Sequence, residues 1–290
     1  MKTFLIAGGD MRQTYLADIL SKKYNVMALG FDRNIIKSKN VIIFDNIGQC
    51  NITIDYIIMP LPCSTDGIFL NTPFCRKNIP IESLVSIANQ DTIIFGGGIT
   101  SEIEETFTSR GLKVFDFTKR EEFNIYNAIA TAEGAVQITL EELPETISKQ
   151  NVLILGFGRI SKVLANILKN MGAKVTISAR KYSDLAWAEI YGYDTIHLSK
   201  LEPSLIRYTL IYNTIPSMIL DGSRLNLIDK ECLIIDLSSR PGGVDFQYCN
   251  DKNLKVIWAL SLPGKTSPVS AGRYIGIAVE NILNDIQKQN

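Results

Sequence analysis

The residues with the clearest chemical content are the run Asn151-Val-Leu-Ile-Leu-Gly156-Phe-Gly158-Arg159-Ile160-Ser161. It sets an apolar stretch ahead of a Gly-x-Gly-x-x-small turn. In that order a strand feeds a tight turn at Gly156, Gly158 lets peptide amides approach a diphosphate, and the positive end of the next helix favours the negative charge. Ser161 stands where glycine or alanine is usual, a departure expected to loosen helix packing slightly. The next strand ends Thr176-Ile177-Ser178-Ala179-Arg180-Lys181 and lacks the acid that normally takes a ribose 2′-hydroxyl. Ser178 offers a hydroxyl and Arg180 and Lys181 two cations, a set suited to a 2′-phosphate, so NADP is expected ahead of NAD. A solvated basic turn is the plainer alternative.

Two later segments, Asn213-Thr214-Ile215-Pro216 and Asp236-Leu237-Ser238-Ser239-Arg240-Pro241-Gly242-Gly243, end further strands. They are expected to line the crevice at the sheet's carboxyl edge. The expected cofactor contacts are therefore Gly156, Gly158, Arg159, Ile160, Ser178, Ala179, Arg180, Lys181, Asn213, Thr214, Ile215, Pro216 and Ser238. The alternative for the second segment is a glycine-rich chain reversal.

On the substrate side, Gly8-Gly9-Asp10-Met11-Arg12 ends the first strand, and amides at a helix start plus Arg12 make an anion cradle. Ser64 and Thr65 lie in a proline-bounded loop, and Gly97 follows another strand. With Gly9 and Arg240 they are the expected substrate contacts. Asn127 and Thr131 are four apart on one helical face, with Glu133 close by. If that face meets the substrate, Glu133 is the expected proton acceptor, and Arg12, Asn127 and Thr131 complete the catalytic set. Satisfied core hydrogen bonds are the alternative. The sole histidine, His197, is expected near the adenine or at the surface and is given no catalytic part. No metal site is expected.

The elements that must position these groups alternate along the chain. Strands are expected at Lys2 to Ala7, Val26 to Leu29, Val41 to Phe44, Tyr56 to Met59, Thr92 to Phe95 and Lys113 to Phe115, and helices at Arg12 to Lys23, Ile81 to Asn89 and Glu102 to Arg110. A long loop spans Pro60 to Pro80. A helix from Glu121 to Ser148, with a break near Gly134, precedes a second block: Val152 to Leu155, Ile160 to Met171, Lys174 to Ser178, Thr209 to Tyr212, Cys232 to Asp236 and Lys255 to Trp258. The class is α/β, with two doubly wound parallel-sheet, Rossmann-like domains and an interdomain cleft. Residues 1–122 form a substrate domain and 149–270 the nucleotide domain. A helix over 123–148 links them, and a helix over 271–290 folds back onto the first.

Composition excludes other classes. The 290 residues carry 30 Lys+Arg against 30 Asp+Glu, so nothing favours a phosphate-backbone binder and nucleic acid is not an expected partner. The five cysteines are odd in number and never spaced Cys-x-x-Cys, which points to reduced thiols in the cytoplasm. No stretch reaches the roughly 18 apolar residues of a membrane span, and the apolar run at the start is too short for a signal peptide.

The opening Ile6-Ala7-Gly8-Gly9-Asp10-Met11-Arg12-Gln13, the middle Tyr126 to Gly134, the turn at Leu155 to Ile160, Asn213 to Leu220, Asp236 to Phe246 and Leu262 to Gly272 together resemble the A-subunit family of bacterial dipicolinate synthases. The resemblance runs over essentially the whole chain. It implies oxidation of dihydrodipicolinate, a small dicarboxylate, to dipicolinate with a nicotinamide cofactor in the mother cell of a spore-former. It also implies a partner, a flavoprotein-like B subunit. A homo-oligomer is open. Two alternatives stand beside it: a dehydrogenase of another small keto or amino acid, and a nucleotide-binding scaffold whose partner does the chemistry.

Overall fold

The structure, a computed structural model, describes residues 1–32, 34–50 and 52–289. Two compact units divide it: Met1–Asn127 with the segment from Ser267 onward, and Ala128–Thr266.

In the first unit β1 (Thr3–Ala7), β2 (Asn25–Leu29), β3 (Val41–Phe44), β4 (Ile54–Ile58), β5 (Ala88–Gly96) and β6 (Lys113–Asp116) form one sheet ordered β3-β2-β1-β4-β5-β6. The pairings are parallel; Phe4, for example, sits between Val26 and Tyr56. A parallel sheet is covered on both faces, so its strands carry apolar residues continuously, and all of β1 is buried. Helices α1 (Met11–Leu20) and α2 (Ser101–Thr108) supply part of that cover.

A long helix, α3 (Glu121–Glu142), leads into the second unit. Here β7 (Asn151–Leu155), α4 (Arg159–Asn170), β8 (Lys174–Ala179), α5 (Tyr182–Ile190), β9 (Asp194–His197), β10 (Leu210–Asn213), α6 (Gly222–Leu225), β11 (Leu233–Asp236), α7 (Phe246–Asp251), β12 (Val256–Trp258) and α8 (Leu262–Thr266) follow in turn. The sheet order is β12-β11-β10-β7-β8-β9. Read from β9, that is the connectivity of the first sheet, so the fold is doubly wound twice over.

The last helix, α9 (Pro268–Gln289), completes the first unit by packing along α1. Its Ile275, Ala278, Val279 and Ile282 recur at helical spacing and share a core with Leu16, Ala17, Leu20, Phe4 and Ile58. Contact is closest at Gly272, where a Cβ would lie 2.4 Å from the Arg12 carbonyl oxygen.

Two expected elements and one expected boundary differ. The stretch expected as a helix at Ile81 to Asn89 is a 3-10 turn, Ile81–Ile87, that runs straight into β5. Its β-branched residues favour the strand, and the Asn89 side chain hooks onto the Ile54 carbonyl at 3.3 Å. The long helix does not break at Gly134, which lies under Leu262 and Thr266, and it stops at Glu142 because Pro144 cannot continue it. Its second half is no detached linker. Ala132, Ala135 and Val136 belong to the core that holds Val152, Ile154 and Leu164, and the unit boundary falls after Asn127 instead of at 122 and 149.

Gly272→Ala should lower stability by about 1–3 kcal/mol through backbone overpacking. At Gly276 the nearest atom is the flexible Leu16 Cδ1, 3.3 Å from a built Cβ, so Gly276→Ala should cost under about 1 kcal/mol. Urea unfolding of the two variants checks the difference, and equal midpoints would contradict this packing.

Candidate functional site

At the carboxyl edge of the second sheet, β7 hands over to Gly156, whose φ of +95° suits glycine. A Cβ there would come 2.6 Å from Thr214 Oγ1. The Thr214 hydroxyl donates to the Leu155 carbonyl at 2.8 Å, and Ser161 Oγ meets it at 2.8 Å. With the Thr214 proton so used, Ser161 is the donor of that second bond. Ser161 is fully buried, so its place in the fingerprint tightens the turn against β10, contrary to the expected loosening.

Gly158 precedes α4 with φ −84°, a value any residue adopts, and no side chain caps the helix start. A Cβ built on Gly158 meets nothing within 4 Å. Neither backbone freedom nor internal packing requires glycine here, and its lack of a side chain leaves the approach to the helix amides open. Helix α5 also starts uncapped, at Lys181. The turn leading into α4 and the start of α5 face one cavity of about 240 Å³, lined by Gly156, Phe157, Ala179, Arg180, Lys181 and Asp184 on one side and Leu198, Ile215, Ser217 and Ile219 on the other. Arg180 and Lys181 are exposed, and beside them Ser178 Oγ is buried with no partner. Two uncapped helix starts, two cations and an orphaned hydroxyl fit a phosphorylated nucleotide. Arg159 and Ile160 open α4 next to the turn, Arg159 exposed and Ile160 half-buried.

Asn213 and Ser238, expected to touch cofactor, are instead fully used inside the protein. Asn213 Nδ2 donates to the Ile215 carbonyl at 3.0 Å and to Asp236 Oδ1 at 2.8 Å, while its Oδ1 accepts from the Ile215 amide. Asp236, 0% exposed, also accepts from the Ser238 amide and hydroxyl and from the Gly243 amide at 2.7–2.9 Å. This buried carboxylate ties the turns after β10 and β11 together and so shapes the wall carrying Thr214, Ile215 and the exposed Pro216. Its part was not foreseen from the sequence, where a strand ending Asp-x-Ser is the one available sign.

The first unit treats its turns differently. Asp10 caps α1, accepting from the Arg12 amide at 2.9 Å, and its carboxylate also takes the Arg12 guanidinium at 2.8–3.1 Å. Arg12 donates further to the Leu61 carbonyl, and only 7% of the residue is exposed. Gly9 is buried too. The expected anion cradle is therefore filled by the protein's own carboxylate, and Arg12 is neutralised and committed to the loop. Gly97 is likewise enclosed, pairing with Pro60 and Cys63 through its backbone, and the adjoining Gly98 and Ile99 amides are taken by Asp116 at 3.3 and 3.0 Å. Ser64 donates to the Phe69 carbonyl at 2.6 Å and to Asp66 within a surface loop, where Thr65 is exposed. Burial pushes the Cys63 thiol up to about 11, so it is no nucleophile at neutral pH.

Asn127 is half-buried and Thr131 buried on α3. Glu133 is exposed and opens on a separate groove beside Ile129, Lys162, Asn166 and Tyr193. That lining shares no residue with the cavity at Gly156, so this placement does not support Glu133 as the proton acceptor. Arg240 is exposed on the turn after β11, its guanidinium 5.9 Å from the centre of the Trp258 ring. Among the described residues no group of three or more His, Cys, Asp or Glu is arranged to hold a metal, and no helix is long and apolar enough to cross a membrane.

The fold and the uncapped turn define a class: proteins of two Rossmann-like units, one with the dinucleotide-binding turn of that fold. Residues 3–118 match the family model for the N-terminal domain of the dipicolinate synthase A subunit. Over 292 aligned positions the chain is 29% identical to the A subunit of dipicolinate synthase from Bacillus subtilis strain 168, covering 98% of this chain and 96% of that protein. The crystal structure of the dipicolinate synthase A chain from Bacillus subtilis superposes with a TM-score of 0.88 at 28% identity, covering 100% of this chain and 98% of that one. Over nearly its whole length the chain is thus similar to A subunits of dipicolinate synthases. A transhydrogenase from Sinorhizobium meliloti, 12% identical over 98% of this chain and 94% of its own with a TM-score of 0.69, shares the fold alone.

Gly158→Val should still fold, losing no more than about 1 kcal/mol at the helix cap because its side chain enters open space, yet lose at least about tenfold in nucleotide affinity by blocking the amides. Calorimetric titration beside thermal unfolding checks both halves; intact affinity would remove the diphosphate from this turn.

Proposed function

We propose that the chain is the nicotinamide-dependent oxidoreductase subunit of a dipicolinate synthase, converting dihydrodipicolinate to dipicolinate. The observation that carries this is the uncapped start of α4 at Gly158, with free space over it, in a chain alike over nearly its whole length to a dipicolinate synthase A subunit. The relative's name, which makes it one subunit of a synthase, supports a second component, which we take to be a flavoprotein-like B subunit. The same likeness supports a place in the cytoplasm of a spore-former's mother cell.

When bound, the nicotinamide cofactor supplies a hydride acceptor, and the gain of an aromatic pyridine ring favours the transfer. The chain's share is binding and orientation. Amides at the α4 start hold the diphosphate, with Gly156 and Thr214 fixing the turn. Arg180 and Lys181, beside the uncapped start of α5, hold a 2′-phosphate, which makes NADP the cofactor. The Asp184 carboxylate in the same cavity is the one feature on the side of NAD, since an acid suits a ribose hydroxyl. Arg240, an exposed cation on the turn after β11, is the carboxylate clamp of this reading, a role that Arg12, ion-paired with Asp10, does not fill.

The test is to supply the purified chain, alone and with its partner subunit, with dihydrodipicolinate and NADP. Formation of pyridine dicarboxylate, read by its ultraviolet absorbance, should match NADPH produced. Tight nucleotide binding with no pyridine formed in either case would leave the chain a scaffold. Arg180→Ala should weaken NADPH by about five- to tenfold, as removal of one exposed charged hydrogen bond does, and NADH by less than about threefold. Equal losses for both coenzymes would remove Arg180 from the 2′-phosphate.

A further inference from the structure

The chain's only histidine stands on the last paired rung between β8 and β9. Strand β8 ends at Ala179, opposite His197 at the end of β9. Past that rung the imidazole takes over: Nε2 lies 2.9 Å from the carbonyl oxygen of Arg180, and Nδ1 lies 2.8 Å from Ser199 Oγ and 3.3 Å from the Ser199 amide. A carbonyl only accepts, so Nε2 carries the proton. Nδ1 is then the acceptor, receiving the Ser199 amide and hydroxyl. One neutral tautomer satisfies all three contacts. The ring also stacks on Tyr182, 4.8 Å between centroids and 23° between planes.

These contacts bracket one residue. Lys181 is the uncapped start of α5, Arg180 precedes it and Tyr182 follows it, and His197 grips both neighbours. The same ring ties that segment to the chain leading to Leu198, on the opposite wall of the cavity. Arg180 and Lys181 have exposed side chains and no ion pair among the described residues, so no salt bridge aims them. The backbone that carries them must do so.

We infer that His197 is a positioning residue for the cofactor's 2′-phosphate, its imidazole fixing the Arg180–Tyr182 backbone so that Arg180, Lys181 and the α5 start converge on one phosphate. The inference rests on the nucleotide reading above and adds the residue that sets coenzyme choice. His197 touches no phosphate itself. Its effect is confined to the adenosine end of the cavity, because the α4 turn is held independently by Thr214 and Ser161.

Two substitutions separate the parts of the ring. His197→Phe keeps the stack on Tyr182 and removes both nitrogens, whereas His197→Gln restores a donor within reach of the Arg180 carbonyl. Dissociation constants for NADPH and NADH are measured on the full-length chain, with thermal unfolding alongside. His197→Phe should weaken NADPH by about five- to tenfold and NADH by less than about threefold, the loss expected when one hydrogen bond no longer aims a charged pair. His197→Gln should recover most of the NADPH affinity. A shared loss for both coenzymes, or a glutamine variant no better than phenylalanine, overturns the positioning role while the nucleotide site stands. A wild-type chain that takes up neither coenzyme brings down the nucleotide reading and this inference together.

Discussion

A helix start presents unsatisfied amides and a partial positive charge, so something must occupy it; the fold's chemistry follows from what does. At α1 it is Asp10, at α2 the Thr100 hydroxyl with Asp116 across the same turn, at α6 Asp221 and at α7 Asp245. At α4 and α5 no side chain takes the position, and the turn leading into α4 and the start of α5 line one cavity. Internal carboxylates and a hydroxyl thus close those four capped turns to outside anions. The two without a side-chain cap follow adjacent strands of one sheet, β7 and β8.

The open turns stay in place because their surroundings are over-determined. Asp236 collects donors from Asn213, Ser238 and Gly243 in full burial, and leaving any of them unpaired there would cost about 1–3 kcal/mol. Thr214 and Ser161 bind the α4 turn to β7 and β10, and the buried Tyr212 phenol bonds Thr139 on α3 beneath the same strand. A site that works by presenting backbone amides cannot tolerate a drifting backbone. The buried polar groups next to it are therefore the means by which it is held.

Much of the fold was legible because both sheets are parallel and doubly covered. Runs such as Phe4-Leu5-Ile6-Ala7 and Val152-Leu153-Ile154-Leu155 are apolar on both faces, and the turn after Leu155 carries its glycines in fixed order. Short helices such as Tyr182–Ile190 escaped because nine residues hold only about two and a half helical periods, and Ile81–Ile87 misled because a 3-10 turn ahead of a strand shares apolar residues with an amphipathic helix. The site was illegible wherever a polar residue's role depends on a distant partner. Nothing local to Arg12 reveals the Leu61 carbonyl, 49 residues away, and nothing around Glu133 tells which groove its helical face will meet. Asp10, by contrast, is a helix cap by local pattern, and a cap at that place excludes the anion cradle at once.

The two units share one connectivity, so topology alone would allow a dinucleotide site in each. The difference between them comes down to which residue begins the first helix. Asp10 introduces a negative charge where a diphosphate would sit, and it adds a guanidinium clasp that draws in the loop at Leu61. A ligand diphosphate would have to displace a bonded carboxylate and break an ion pair that is largely shielded from water. Glycine at the corresponding place in the second unit adds neither charge nor bulk. One side chain at a helix start thus leaves the first unit, built on the same scaffold, without an open anion cradle at its first turn, while the second keeps one.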